Sequence, residues 1–227
     1  MDRDQTPIGG LQHPMQPTKQ LYHATLFLDL TALLISFIIS PWFLLGILLY
    51  IIASRLYSYR GIRLKQYPIA GFITVAFCQG GLIFFISYHA ISPQLTLDVP
   101  IVPCIISSCL IGALYPLTQV YQHEADRKDG VTTISYLLGI RGSFLFSAIL
   151  FLTATLLLNQ RFDKNEDMNS FYLYLLITLP VVLFFLYWMM KVWKDERAVN
   201  FKNSLMMNII ATVCTSAFFI TLFCMKH

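Results

Sequence analysis

Seven long apolar runs constrain this chain more than any other feature. They lie at about 21–40, 42–57, 68–90, 100–120, 137–158, 171–191 and 204–224. Most reach the roughly 20 residues that a helix needs to cross the hydrocarbon core of a bilayer; the second is short and borrows from its flanks. Hydrocarbon offers no partner to backbone N–H and C=O groups, so runs of this length fold as helices, whose backbone bonds are internal. Charge agrees with this: only 12% of the 227 residues are charged, against roughly 25% in a soluble domain. The expected fold class is therefore all-α, a multi-span transmembrane helix bundle of about seven helices. Residues 1–227 form a single membrane domain on this reading, with 1–20 a polar cytoplasmic loop and 21–224 the transmembrane bundle. Ser40-Pro41 marks a tight turn between the first two runs. The five cysteines all fall inside apolar runs without a CxxC pair, and read as small packed hydrophobes.

Lys and Arg set the orientation. With the N-terminus in the cytoplasm, thirteen of the sixteen basic residues fall on the cytoplasmic side, and only Arg161, Lys164 and Lys226 fall on the other. This arrangement brings three charged stretches to one face: 1–20, 55–67 and 121–133.

The last of these carries the chemistry. Residues 121–139 read YQHEADRKDGVTTISYLLG. Between His123 and Asp129 they hold three carboxylates (Glu124, Asp126, Asp129), two cations (Arg127, Lys128) and a histidine. If the helix continues past Val120, Gln122 and Asp126 share a face at i and i+4. Gly130 supplies an exit, and Thr132 or Thr133 caps the next helix. Such carboxylates suit Mg²⁺, which takes one or two of them together with phosphate oxygens and water. Asp2 and Asp4 add acidic groups on the same face, and Arg60, Arg63 and Lys65 add a basic cluster. Together they suit a magnesium-bound diphosphate: the carboxylates hold the metal, and Arg and Lys take the remaining negative charge. The plainer alternative is a solvated loop for 121–133 and ordinary positive-inside anchoring for the basic cluster. Asp29 sits near the middle of the first run, either protonated and hydrogen-bonded or lining a cavity. His89 and Asp98 are read as loop residues on the far side. The abundant aromatic residues belong to interface belts and helix packing, or line a tunnel for an apolar chain.

At 121–139 the chain resembles the UbiA-type superfamily of membrane prenyltransferases. Their second aspartate-rich motif runs D-x-E-x-D-x-x-x-G-x-x-T, followed by an apolar stretch and L-G. Glu124, Asp126, Gly130, Thr133 and Leu138-Gly139 keep their places, while Gln122 stands where the first aspartate would be. Tyr57-Ser58, Arg63-Leu64-Lys65 and Pro68 resemble the family's Tyr-Ser, Arg-Leu-Lys and Pro segment, where tyrosine and basic residues approach a diphosphate. The resemblance implies Mg²⁺-dependent intramembrane prenyl transfer from a prenyl diphosphate donor to a hydrophobic, often aromatic, acceptor, within the lipid bilayer and with no nucleic-acid partner. It implies metal binding by Asp2, Asp4, Gln122, Glu124 and Asp126. Diphosphate contacts are expected from Tyr57, Arg60, Arg63, Lys65 and Lys128, with Asp126, Glu124, Arg63 and Lys65 central to catalysis. The family usually has nine helices and a first motif ending the second of them; Asp2 and Asp4 read as the tail of that motif, with two helices and its asparagine then missing, so that the chain either begins at an internal start or is a shortened relative. The alternative function is a non-catalytic relative that binds isoprenoid lipid.

Overall fold

The computed structural model describes residues 18–59 and 61–226, and every regular element among them is helical. Asp2, Asp4 and Arg60 lie outside the described residues. Seven helical spans are long and apolar enough to cross a membrane, one for each apolar run. The chain is thus an integral, multi-pass membrane protein.

α1 (Lys19–Ile39) starts at Thr18, whose hydroxyl accepts the Leu21 N–H at 3.1 Å. Ser40 ends α1 in extended conformation and begins α2 (Pro41–Ser58), accepting the Phe43 N–H, with Pro41 at the first helical position. Proline fits there because its missing N–H would have had no intrahelical partner. The third span, Pro68–Ile91, is α3 (Pro68–Val75) joined to α4 (Ile83–Ile91) through a π-helical segment, Ala76–Leu82. Gly80 and Gly81 in that segment bring it against α5 (Ile101–Leu114). A Cβ at Gly80 would lie 2.5 Å from Ser108 Cα, and the Gly81 N–H reaches Ser108 Oγ at 3.0 Å.

α5 does not run on past Val120 as expected. Pro116 lacks the N–H to continue it, and the chain passes through two 3₁₀ turns, Pro116–Thr118 and Val120–Gln122, before α6 (His123–Lys128). Gln122 is the N-cap of α6 rather than a residue inside a continuous helix with Asp126. α7 (Ile134–Lys164) begins at Thr133 and is interrupted at Gly139, where φ 69° and ψ 175° leave helical geometry. α8 (Met168–Lys194) and α9 (Phe201–Lys226) complete the bundle.

A buried apolar cluster joins α7, α8 and α9. Trp188 is fully buried, stands edge-on to Phe144 at 4.9 Å, and donates its indole N–H to the Ala198 carbonyl at 2.9 Å. Ser204 of α9 donates to the carbonyl of Leu117 and ties the Pro116 turn to this core. Large apolar side chains such as Phe27, Leu34, Ile149 and Phe219 remain exposed, as lipid-facing positions are.

Two polar residues inside the apolar runs find protein partners. Asp29 forms an ion pair with Arg55 across the α1–α2 hairpin, an arrangement that neither of the two sequence readings described. His89 is a helix residue and not a loop residue: it lies in α4, fully buried, with Nε2 2.7 Å from Ser40 Oγ and Nδ1 3.0 Å from the Thr96 carbonyl. The reason is the Ser40 turn, whose hydroxyl needs a partner once it is packed away from water. Asp29→Asn leaves the Arg55 cation without its counter-charge in an apolar setting. It should lower the stability of the purified protein by on the order of 2 kcal/mol, and adding Arg55→Gln should recover part of the loss. Thermal unfolding of the two variants in one detergent checks this.

Candidate functional site

The basic turn between α2 and α3 is built to hold Arg63 and Lys65 in fixed positions. The amides of Ile62 and Arg63 both bond to the Tyr59 carbonyl, and Arg63 takes left-handed backbone geometry at φ 47°. A non-glycine residue there is uncommon and is held by its surroundings. Leu64–Gln66 then forms a 3₁₀ turn. Gly71 lets this turn lie directly on α3: a Cβ would meet the Leu64 carbonyl oxygen at 3.2 Å and Lys65 Cα at 3.3 Å.

The acidic segment meets this turn. Arg63 pairs with Asp129, both side chains being largely shielded. Lys65 lies within electrostatic reach of Asp126 and Asp129. Its partial burial pushes the ammonium pKa below the usual value, and the Arg63 charge acts in the same direction, while the two carboxylates oppose them. A half-buried ammonium beside a guanidinium has favourable work left to do with an added anion.

Asp126 is fixed by the end of α6. The Val131 N–H bonds to the Asp126 carbonyl at 2.9 Å and the Gly130 N–H to the Arg127 carbonyl at 3.2 Å, with Gly130 at φ 65°. This is a Schellman closure, in which the left-handed residue after the helix is favoured as glycine. The buried Val131 seats it. Thr133 then serves two elements. Its hydroxyl accepts the Tyr136 N–H, capping α7, and lies 3.5 Å from the Asp126 carboxylate as its donor. Asp126 also lies within electrostatic reach of the phenols of Tyr57, Tyr115 and Tyr121.

A polar ladder lies behind this carboxylate. Tyr57 OH and Tyr115 OH are 2.6 Å apart, and the Gln119 side chain bonds to Tyr115. Gln119 is buried and its Oε1 has no partner among the described residues, which leaves an acceptor open for a small donor. Next to Tyr115 stands Phe72, ring centroids 6.3 Å apart, packed edge-on to Phe146. Beyond Phe72 an apolar cavity of about 440 Å³ runs along α5 past Cys109, Ser108 and Ile105 toward Ile101. Ile101 and Ile105 are exposed, so its far end opens to the lipid side.

Not every residue expected at the site gathers there. Tyr57, Arg63, Lys65 and Asp126 do. Gln122 donates its side-chain amide to Tyr121 OH. Glu124 is 79% exposed and pairs with Lys128 at 3.0 Å; two residues from Asp126 on a helix, it occupies the opposite face, and the structure brings neither Glu124 nor Lys128 to Arg63. Sequence reasoning counted Asp129 among the acidic groups without pairing it with Arg63, and did not pick out Tyr115 or Gln119. The i, i+3 spacing from Asp126 to Asp129 was the available signal for the first. For the other two there was none, since their position follows from the turn that Pro116 imposes.

Among the described residues no three His, Cys, Asp or Glu side chains form a metal cage. The donor set nevertheless fits Mg²⁺ bound with a phosphate ligand, because such an ion needs only one or two carboxylates when phosphate and water supply the other oxygens.

The sequence matches the UbiA prenyltransferase family over residues 12–221. The chain therefore belongs to that family, and a function of the prenyltransferase type follows in general terms. Searches among curated proteins and solved structures give no match.

Gly130→Ala forces a Cβ into the left-handed position at a cost of about 1–2 kcal/mol, with no neighbour within 4 Å to clash. The strain falls on the Asp126 carbonyl bond. The variant should fold, and should exchange the amide protons of Gly130-equivalent position 130 and Val131 faster than the parent, as hydrogen-exchange mass spectrometry would read.

Proposed function

We propose that this UbiA-family membrane protein transfers a prenyl group from a prenyl diphosphate to a hydrophobic acceptor, with Mg²⁺ bound between the diphosphate and Asp126. The observation that carries the reading is the meeting of Arg63 and Lys65 with Asp126 and Asp129, two charged segments some sixty residues apart in the chain, at the end of an apolar bundle. Mg²⁺, when bound, neutralises phosphate oxygens and eases departure of the diphosphate. Asp126 would supply the anionic metal ligand, and Gln122 a neutral amide oxygen, its Nε2 being the atom that bonds to Tyr121. Asp2 and Asp4 join the proposed ligand set on the sequence pattern alone; Glu124, paired with Lys128 on the opposite face of α6, does not.

Arg63 and Lys65 receive the charge that grows on the leaving diphosphate as the allylic C–O bond breaks; stabilisation at that stage lowers the barrier. Asp129 holds Arg63 in place until the diphosphate competes for it. Tyr57 contacts the diphosphate through its hydroxyl. The prenyl chain lies in the apolar cavity beyond Phe72, where exclusion of water protects the allylic cation. A nucleophilic carbon of the acceptor, an electron-rich aromatic ring in the fullest form of the proposal, forms the new C–C bond and then loses a proton. The positive-inside pattern puts this site on the cytoplasmic face.

The test is release of diphosphate from farnesyl diphosphate by the purified protein, with Mg²⁺ and a panel of phenolic acceptors. The parent should turn over only with Mg²⁺. Asp126→Asn and Lys65→Met should each lose on the order of 100-fold in kcat/KM. Tight binding of the donor without turnover in any condition would favour a non-catalytic protein that binds isoprenoid lipid.

A further inference from the structure

α6 carries the acidic motif, yet it is six residues long and has no buried residue of its own. A single helical turn of this kind is not stable by itself. Something outside it must set its orientation. The Schellman closure fixes its C-terminal end. At its N-terminal end His123 reaches buried structure by a hydrogen bond, its Nε2 lying 2.7 Å from Ser135 Oγ.

Ser135 is fully buried in the first turn of α7. It is held in turn by Ser143, also fully buried, whose Oγ lies 3.0 Å from Ser135 Oγ and 2.8 Å from the Gly139 carbonyl. Gly139 lies between them with φ 69° and ψ 175°, a region open essentially to glycine alone. The Ser143 hydroxyl lies against two backbone carbonyls, that of Ser135 before the break and that of Gly139 at it. The Tyr136 ring meets the His123 imidazole edge-on, centroids 5.5 Å apart, and limits its rotation.

A serine and a histidine at this distance have the spacing of a nucleophile and its base. Full burial of Ser135 excludes that role, because no substrate reaches it. What remains is mechanical. We infer that His123 is a positioning residue: through Ser135 and Ser143, braced across the Gly139 break, it docks the N-terminal end of α6 onto the interior of α7 and so fixes the direction of the Asp126 carboxylate. The chain of hydroxyls works with either neutral tautomer arrangement that leaves Nε2 facing Ser135. It makes the kink at Gly139 part of the site, although Gly139 touches no charged group.

This inference rests on the proposed metal–diphosphate site for its functional consequence, but its structural content can be judged without that site. Two measurements separate them. Hydrogen exchange of the ligand-free protein is compared for the parent, His123→Ala, Ser135→Ala and His123→Gln. Exchange should quicken over 123–131 in both alanine variants while the α8–α9 core keeps its protection, and His123→Gln, which retains a side-chain hydrogen bond to Ser135, should stay close to the parent. Affinity for farnesyl S-thiolodiphosphate with Mg²⁺, read by calorimetry, should fall about 10-fold in the two alanine variants, as loss of an outer partner of a metal ligand does, and recover in His123→Gln. Unchanged exchange over 123–131 in His123→Ala, or a rise spread evenly over all helices, would overturn the positioning role. Failure of the parent itself to bind the analogue would count against the diphosphate site, and the exchange comparison would still decide the role of His123.

Discussion

Burial in hydrocarbon penalises a polar group without a partner, and this cost governs where several polar residues of the spans sit. Inside the spans, Asp29 finds Arg55, His89 finds Ser40 and Thr96, and Ser143 finds Ser135. Each pair joins two turns or two helices, so the same bonds that satisfy polar groups also fix the packing. The other charges lie at the ends of the spans, and one group of them forms where the 61–67 turn meets 122–133. Arg63 with Asp129 is the ion pair that closes that meeting.

Glycine does the complementary work. Gly80 allows the π-helical segment to lie against the backbone of α5, and Gly71 allows the Lys65 turn to lie against α3. Gly130 and Gly139 act through conformation and not through space: both have positive φ, and neither would crowd a neighbour with a Cβ. One closes the end of α6 onto the Asp126 carbonyl; the other breaks α7 so that its first turn can serve as a platform for α6. The site is thus assembled from two short, conformationally unusual segments set on long regular helices, an arrangement in which rigidity comes from the scaffold and precision from the turns.

The sequence was a good guide to the spans, because an apolar run of bilayer length has one way to fold in lipid. Ser40-Pro41 and Thr133 were legible as turn and cap for equally local reasons. The motif residues Asp126, Arg63 and Lys65 were legible as site candidates, since charge at the edge of an apolar bundle is rare. What lay out of reach depended on long-range geometry. The assumption of continuous helix from Ile101 to Asp126 failed at Pro116, and with it the basis for putting Gln122 and Asp126 on one helical face. The π-helical segment, the break at Gly139 and the contact of His123 with Ser135 leave no periodic signature. Asp129 is an intermediate case: its charge was visible, but its pairing with Arg63 comes from a turn sixty residues earlier.

The central claim is that Asp126, Arg63 and Lys65 belong to one metal–diphosphate site. The most direct measurement replaces Mg²⁺ by Mn²⁺ and locates the ion by anomalous scattering in crystals grown with farnesyl S-thiolodiphosphate. The account predicts a manganese peak at about 2.2 Å from an Asp126 carboxylate oxygen, within the usual range for a hard divalent ion, with the diphosphate between it and Lys65. A bound analogue whose metal lies away from Asp126, or a diphosphate that contacts neither Arg63 nor Lys65, would contradict it.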